Sequence, residues 1–226
     1  AVLRSIASRQ LGLVTVQQAE RAGVDRSALA RRRQAGALLP VFFGVLRLAA
    51  VAPSVQQRLL AGALALPGSV ITATSAAAVH EMPAVCGIGE GVAPIVAVKA
   101  GRSPRSAGIV VVRHSFDVPS RRWLTARLAT PAATLLFLPR FVDEGGVERC
   151  LDHCLAHRLT TVTAVRRLME QVPARAVHGR AMLLELLAQR AGGIGHRSGL
   201  EQRVAIWLND LGLRGWTPNF RVPVSA

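Results

Sequence analysis

Acidic side chains are scarce in this 226-residue chain: 13 aspartates and glutamates stand against 28 lysines and arginines, a net charge of +15. Lysine is scarcer still, with Lys99 the sole representative, and cysteine is limited to three residues. The preference for arginine, together with abundant alanine and valine, looks like the codon usage of a GC-rich genome. That bias explains the choice of cation but not why bases outnumber acids two to one, so the sign of the charge points to a polyanionic partner, most often nucleic acid. Three cysteines exclude a closed set of disulfide pairs, and no basic-then-apolar segment opens the sequence. The expectation is a reducing, bacterial cytoplasm. Long apolar runs are also missing: Leu59 to Leu66 ends at Pro67-Gly68, well short of the ~20 residues of a membrane helix, so no membrane partner is expected. Half of the residues are hydrophobic, which excludes intrinsic disorder. The chain opens at Ala1 without Met and stops in an apolar run at Ala226, as expected of a piece of something longer.

The length suits one large domain or two to three small ones, and three units are expected. Over residues 1–52, Val2 to Gln10 reads as a helix ended by Gly12. Thr15 caps a second helix, Val16 to Ala22, stopped by Gly23, and Asp25 caps a third, Arg26 to Ala35, ended by Gly36. The β-prone runs Leu38 to Phe43 and Val45 to Leu48 flank Gly44 as a hairpin. Together these predict a winged helix-turn-helix with the hairpin as wing. Residues 53–190 read as a mixed helix and strand domain. Its helices are Val55 to Leu66, Ser75 to His80, Ala132 to Leu138 behind the cap Thr130 and Pro131, Val147 to Leu159, Thr163 to Gln171 and Arg180 to Arg190. Its strands are Ile95 to Val98 and Ile109 to Val112, joined by the exposed segment Ala100 to Gly108. Residues 191–226 comprise a glycine-rich linker, a capped helix from Ser198 to Leu211 and an extended tail, Thr217 to Val224, as the opening of a truncated α/β unit. The fold class expected is α+β.

The strongest chemical signal lies in the third helix. Placed in a major groove, Arg26, Ser27, Arg31, Arg32 and Gln34 would meet bases and phosphates, with Arg47 of the hairpin joining them, because arginine bonds guanine O6 and N7 in a bidentate way and neutralises phosphates. An arginine run on a helix is more often a solvated face, but the preceding helix, the turn glycine and the hairpin all agree. Arg33, four residues after Leu29, is expected to snorkel from the inner face. Cys150, His153, Cys154 and His157 are zinc-ligand types, yet on one helix Cys150 and His157 lie about 10 Å apart, too far for one tetrahedral ion. Gly87 to Gly91 lacks the strand before it and the Lys-Ser/Thr after it that a phosphate loop needs. Serine, histidine and aspartate are scattered without a nucleophile's spacing, so no catalytic site, metal or cofactor is expected.

Gly12-Leu-Val-Thr15, Gly23-Val-Asp-Arg-Ser-Ala-Leu29, Arg31-Arg-Arg33, Gly36-Ala-Leu38 and Val41-Phe-Phe-Gly44-Val45 together resemble the N-terminal winged-helix domain of AbiEi-type antitoxins of type IV toxin–antitoxin systems. The resemblance continues through Ser75-Ala-Ala-Ala78 and Leu128-Ala-Thr-Pro-Ala-Ala-Thr-Leu-Leu136, which is similar to the family's V-T-T-P-A-R-T-L-L-D segment. Two positions depart: Ala133 stands where arginine is usual and Phe137 where aspartate is usual, so the ion pair those would make is missing. The resemblance implies a transcriptional regulator that binds double-stranded DNA, represses its own promoter and counteracts a nucleotidyltransferase toxin. The middle domain, with few clustered arginines outside Arg102 to Arg105 and Arg121-Arg122, would serve protein contact. Ser198-Gly-Leu-Glu201-Gln-Arg-Val204, Leu211-Gly-Leu213 and Pro218-Asn-Phe-Arg-Val222 resemble the opening of a very-short-patch-repair-like endonuclease domain. The alternative function is therefore the N-terminal part of such a nuclease, inactive as it stands, because Glu201 and Asp210 fall on opposite helix faces and metal-dependent cleavage needs converging carboxylates.

Overall fold

A computed structural model describes residues 2–83, 91–101, 107–191, 204, 207, 208 and 211–213. It is an α+β structure with two small sheets. The chain begins α1 (Val2–Ser8), β1 (Leu13–Thr15), α2 (Val16–Arg21), α3 (Arg26–Gln34), β2 (Leu38–Phe42) and β3 (Val45–Leu48). Thr15 closes a capping box: its Oγ1 accepts from the Gln18 amide at 3.1 Å, while the Gln18 side-chain oxygen accepts from the Thr15 amide at 2.9 Å. Gly23, at φ 78°, makes the left-handed turn between α2 and α3 that a β-carbon would oppose.

The three strands form an antiparallel sheet in the order β1-β3-β2, with Val14 opposite Leu46 and Leu38 opposite Leu48. Side chains alternate across a strand, and both faces of this sheet are used. Val14, Leu38 and Leu46 pack with Ala19 and Leu29 of the helices. Leu13, Phe42 and Val45 on the other face pack with Leu60 and Ala61. The latter two belong to α4 (Val55–Ala65), whose N-cap Ser54 accepts from the Gln57 amide.

Helix α4 leads into the second sheet, built from β4 (Val70–Ile71), β5 (Ile95–Lys99), β6 (Val110–His114), β7 (Ser120–Trp123) and β8 (Ala126–Ala129) in the order β6-β5-β4-β8-β7. The pairs β4/β5 and β7/β8 are antiparallel, whereas β4/β8 and β5/β6 are parallel. The helices α5 (Ala73–Val79), α6 (Pro131–Phe137), α7 (Glu144–Ala156), α8 (Val162–Gln171) and α9 (Arg180–Ala191), with short 3-10 turns at Leu138–Arg140 and Ala174–Ala176, complete the described elements. Val96, Leu128, Leu135, Leu151, Met169 and Leu187 are fully buried in the main core that sheet and helices share. Arg190 ties α9 to α7 through bonds to Asp152 at 2.6 Å and Glu148 at 3.1 Å.

The helices expected up to Arg190 form, most within one to three residues of their expected ends. Four strands were not expected. β1 is only three residues long, immediately before a cap. β4 has two, too few for a period to register. β7 and β8 carry Arg121, Arg122 and Arg127 on a sheet edge and turn through Leu124 at φ 52°, without the Asn-Gly or Asp-Gly that marks a hairpin. The segment Val147 to Leu159 starts earlier and ends sooner, at Glu144 and Ala156, because Asp143 accepts from the Gly146 amide at 2.9 Å and caps the helix there. Ala133 and Phe137 are both buried, and Phe137 stacks on Phe116 with centroids 6.0 Å apart, so apolar packing occupies the two positions where the resemblance implies an ion pair. Residues 87–90 of the glycine loop, Arg102 to Arg105, the linker after Ala191, most of the helix expected from Ser198 to Leu211, Glu201 and Asp210 with it, and the tail from Thr217 lie outside the described residues.

Gly62 of α4 lies against β5's approach, where an added β-carbon would sit 2.5 Å from Pro94 Cβ. Gly62→Ala is expected to lose about 1–3 kcal/mol through overpacking, even though alanine favours a helix by ~1 kcal/mol over glycine. The chemical-denaturation midpoint reads the outcome, and an unchanged or raised midpoint would mean that Pro94 gives way at no cost.

Candidate nucleic-acid interface

The third helix is positioned by one buried side chain and one cap. Leu29 is its only fully buried residue, plugged among Val14, Leu38 and Leu46. Asp25 Oδ1 accepts from the Ala28 amide at 2.6 Å and from Ser27 Oγ at 2.8 Å. The Ala28 amide, followed by the Ser27 hydroxyl, holds the Asp25 carboxyl below its ordinary range, so the anion stays at the helix N-terminus, where the dipole favours it.

At about 100° per residue, Ser27, Arg31 and Gln34 share one side of α3, and all are exposed. Arg31 Nη1 donates to Ser27 Oγ at 3.2 Å, and Arg32 Nη1 donates to the Ala28 carbonyl at 3.2 Å. Arg26, also exposed, pairs with Glu20 of α2 at 2.6 Å, an exposed bridge of the kind that adds little stability. Five of the six expected site residues are thus brought together on one helix. Arg47 is not among them: strand alternation puts it on the sheet face toward α4, and its Nη1 donates to the Val51 carbonyl.

The opposite side of α3 borders a cleft of about 1750 Å³ that sequence reading missed. Arg26 and Arg33 line it from α3, Arg21 from α2, Arg58 from α4, and Arg121, Arg122 and Arg127 from the β7–β8 hairpin. Arg33 is exposed there, reaching out from beside the inner face. Its Cα is only about 40° around the helix from Leu29, and the long side chain reaches past the packed leucine to the cleft edge. Glu20 is the one acid in the lining. Phe43, at the tip of the β2–β3 hairpin, is 94 % exposed and also lines the cleft, while Arg58 lies over the Phe42 ring at 5.0 Å. The central region therefore presents clustered arginines where mainly protein contact was expected. These residues lie far apart in sequence, so no window shows the cluster.

This is a basic α+β protein whose arginines converge on one capped helix and on the cleft beside it. Residues 2–49 match the model of a family described as Transcriptional regulator, AbiEi antitoxin. No curated protein matches the chain.

Cys150 and Cys154 are both buried, and burial pushes the Cys154 thiol up to about 12, which disfavours the thiolate that binds metal. His153 and His157 lie on the more exposed side of α7, their rings tilted by 40° with centroids 4.3 Å apart. Among the described residues, no group of three or more histidine, cysteine or acidic side chains is arranged to hold a metal ion. His80 is buried with Nε2 2.8 Å from the Ala129 carbonyl, so Nε2 carries the proton and Nδ1, 3.4 Å from Arg121 Nη2, is left to accept. Burial is the main reason its imidazole is held below the ordinary histidine value; burial and then His157 do the same to His153. A lowered histidine pKa makes the unfolded chain the better proton binder. Stability is accordingly expected to be level above about pH 6.5 and to fall as pH drops below it toward the folded values. Denaturation midpoints between pH 7.5 and pH 5 measure this, and His80→Gln should flatten the slope. An equally steep slope in that variant would remove His80 as a source.

Proposed function

We propose that the chain is a transcriptional regulator of the antitoxin type that binds double-stranded DNA through a winged helix-turn-helix formed by its first 52 residues. The observation that carries this is α3: a capped helix whose exposed side offers Ser27, Arg31, Arg32 and Gln34, with no acid between its cap and its last turn. The match of residues 2–49 to a transcriptional regulator family supports the same reading. With α3 in the major groove, Arg31 is placed to bond guanine and Gln34 adenine. Arg26 and Arg32 neutralise phosphates, and Ser27 holds Arg31 while offering its own hydroxyl. Arg47 joins them only by leaving the Val51 carbonyl. Such a protein acts by occupancy, not catalysis. Repression of its own promoter and neutralisation of a nucleotidyltransferase toxin by residues 53–190 complete the proposal, in a cytoplasmic setting.

Duplex titrations of the wild type and Arg31→Ala at several salt concentrations test the assignment. Loss of one phosphate contact should make the log–log salt slope shallower by ~1, and loss of a base contact should lower affinity at every salt concentration. Arg31 is exposed, so folding should be unaffected. Slopes and affinities identical to wild type would remove it from the interface.

A further inference from the structure

We propose that the cleft beside α3 is a second nucleic-acid site, one that takes an unpaired strand rather than a duplex. It goes beyond the duplex reading because it is built on the side of α3 away from Arg31: Arg33 is about 160° around the helix from Arg31, and Arg26, about 20° from Arg33, stands at the edge shared by the two surfaces. Three observations define the occupant. The first is charge. Seven arginines line the cleft against Glu20, which is itself paired to Arg26. Among the described residues, Arg33, Arg121, Arg122 and Arg127 have no acidic partner. Arg122 Nε donates to the Leu124 carbonyl at 2.9 Å and Arg127 Nε to Ser120 Oγ at 3.0 Å. Each guanidinium is thus fixed on the hairpin by one donor, and its terminal amino groups remain for a ligand.

The second observation is Phe43. Its ring is 94 % exposed at a hairpin tip on the cleft's rim, open to stacking. An aromatic next to a row of cations is the make-up of sites where bases stack while phosphates are neutralised, and every base has a face to stack. The third is size. The cleft offers about 1750 Å³ between α3 and the β7–β8 hairpin. A strand of a few nucleotides, the lower end of known single-strand site sizes at ~4 nucleotides, is accommodated. The Gln10 and Thr125 side chains hold the cleft walls together: Thr125 Oγ1 of the β7–β8 turn donates to Gln10 Oε1 at 3.1 Å, and Gln10 Nε2 donates to Gln18 Oε1 at 2.7 Å. The cleft is therefore preformed, not assembled by the ligand.

Fluorescence anisotropy of the full chain with a labelled single strand of roughly 15 unstructured nucleotides, and with a duplex of that length, tests the proposal. Phe43→Ala should weaken the single strand about tenfold, the loss of one stacked base, and leave the duplex within about twofold. Arg122→Ala/Arg127→Ala should make the single-strand salt slope shallower by ~1.4, at ~0.7 per phosphate lost. Arg31→Ala should weaken only the duplex, so a failure of the duplex reading shows in that variant alone. Saturating duplex should leave single-strand binding in place. Single-strand binding that is undetectable, or that Phe43→Ala leaves unchanged, would overturn the proposal. So would stoichiometric displacement by duplex with both probes weakened equally, because the cleft would then be part of one duplex surface. Thermal melting of each variant confirms that exposed side chains alone were changed.

Discussion

Helix α4 has to satisfy two sheets at once, and everything functional in the molecule depends on how it does so. Leu60 and Ala61 fill the underside of the N-terminal sheet, while Ala63 enters the main core, and Gly62 lets Pro94 approach where any β-carbon would collide. Gln57 Nε2 adds a bond to the Leu11 carbonyl at 2.6 Å, buried where an unmade bond would be costly. The apolar contacts through α4 make the small N-terminal unit and the central sheet one packed body. Together with the Thr125–Gln10 hydrogen bond they keep the arginines of α3 and those of the β7–β8 hairpin within reach of one another.

That arrangement works against electrostatics. Like charges gathered round one cleft repel, and few acids are available to relieve them. Part of the acidic complement is used elsewhere: Glu148 and Asp152 neutralise Arg190 between α7 and α9, and Asp25 is committed to the cap of α3. Net repulsion on a surface is tolerated when packing holds the backbone and water screens the exposed heads, which describes α3, where a single leucine and a cap carry the anchoring. A polyanion would relieve the repulsion on binding, so the same feature that strains the free protein favours the complex.

Local signals in the chain carried the helices and the order of the N-terminal elements. Thr15, Asp25, Ser54, Thr130 and Thr161 each accept from an amide at a helix start, and caps are legible because they act within three residues. Strand pairing is non-local, which is why β4, two residues long, and the β7–β8 hairpin were silent until their partners were in place. The same difference separates the two groups of arginines. Arg31, Arg32 and Gln34 are adjacent and were read directly, whereas Arg33, Arg58, Arg121, Arg122 and Arg127 become one feature only after α4 has joined the sheets. Arg47 shows the converse: it follows the pattern of a hairpin arginine, yet strand alternation turns it toward α4 and a backbone carbonyl.

Hydrogen–deuterium exchange of the full chain with and without duplex DNA tests the central claim most directly, because it reports on every backbone segment without prior choice of residue. Binding through α3 predicts slowed exchange in residues 25–35, with α7 to α9 unchanged. Protection confined to α7 to α9, with α3 exchanging as in the free protein, would contradict it.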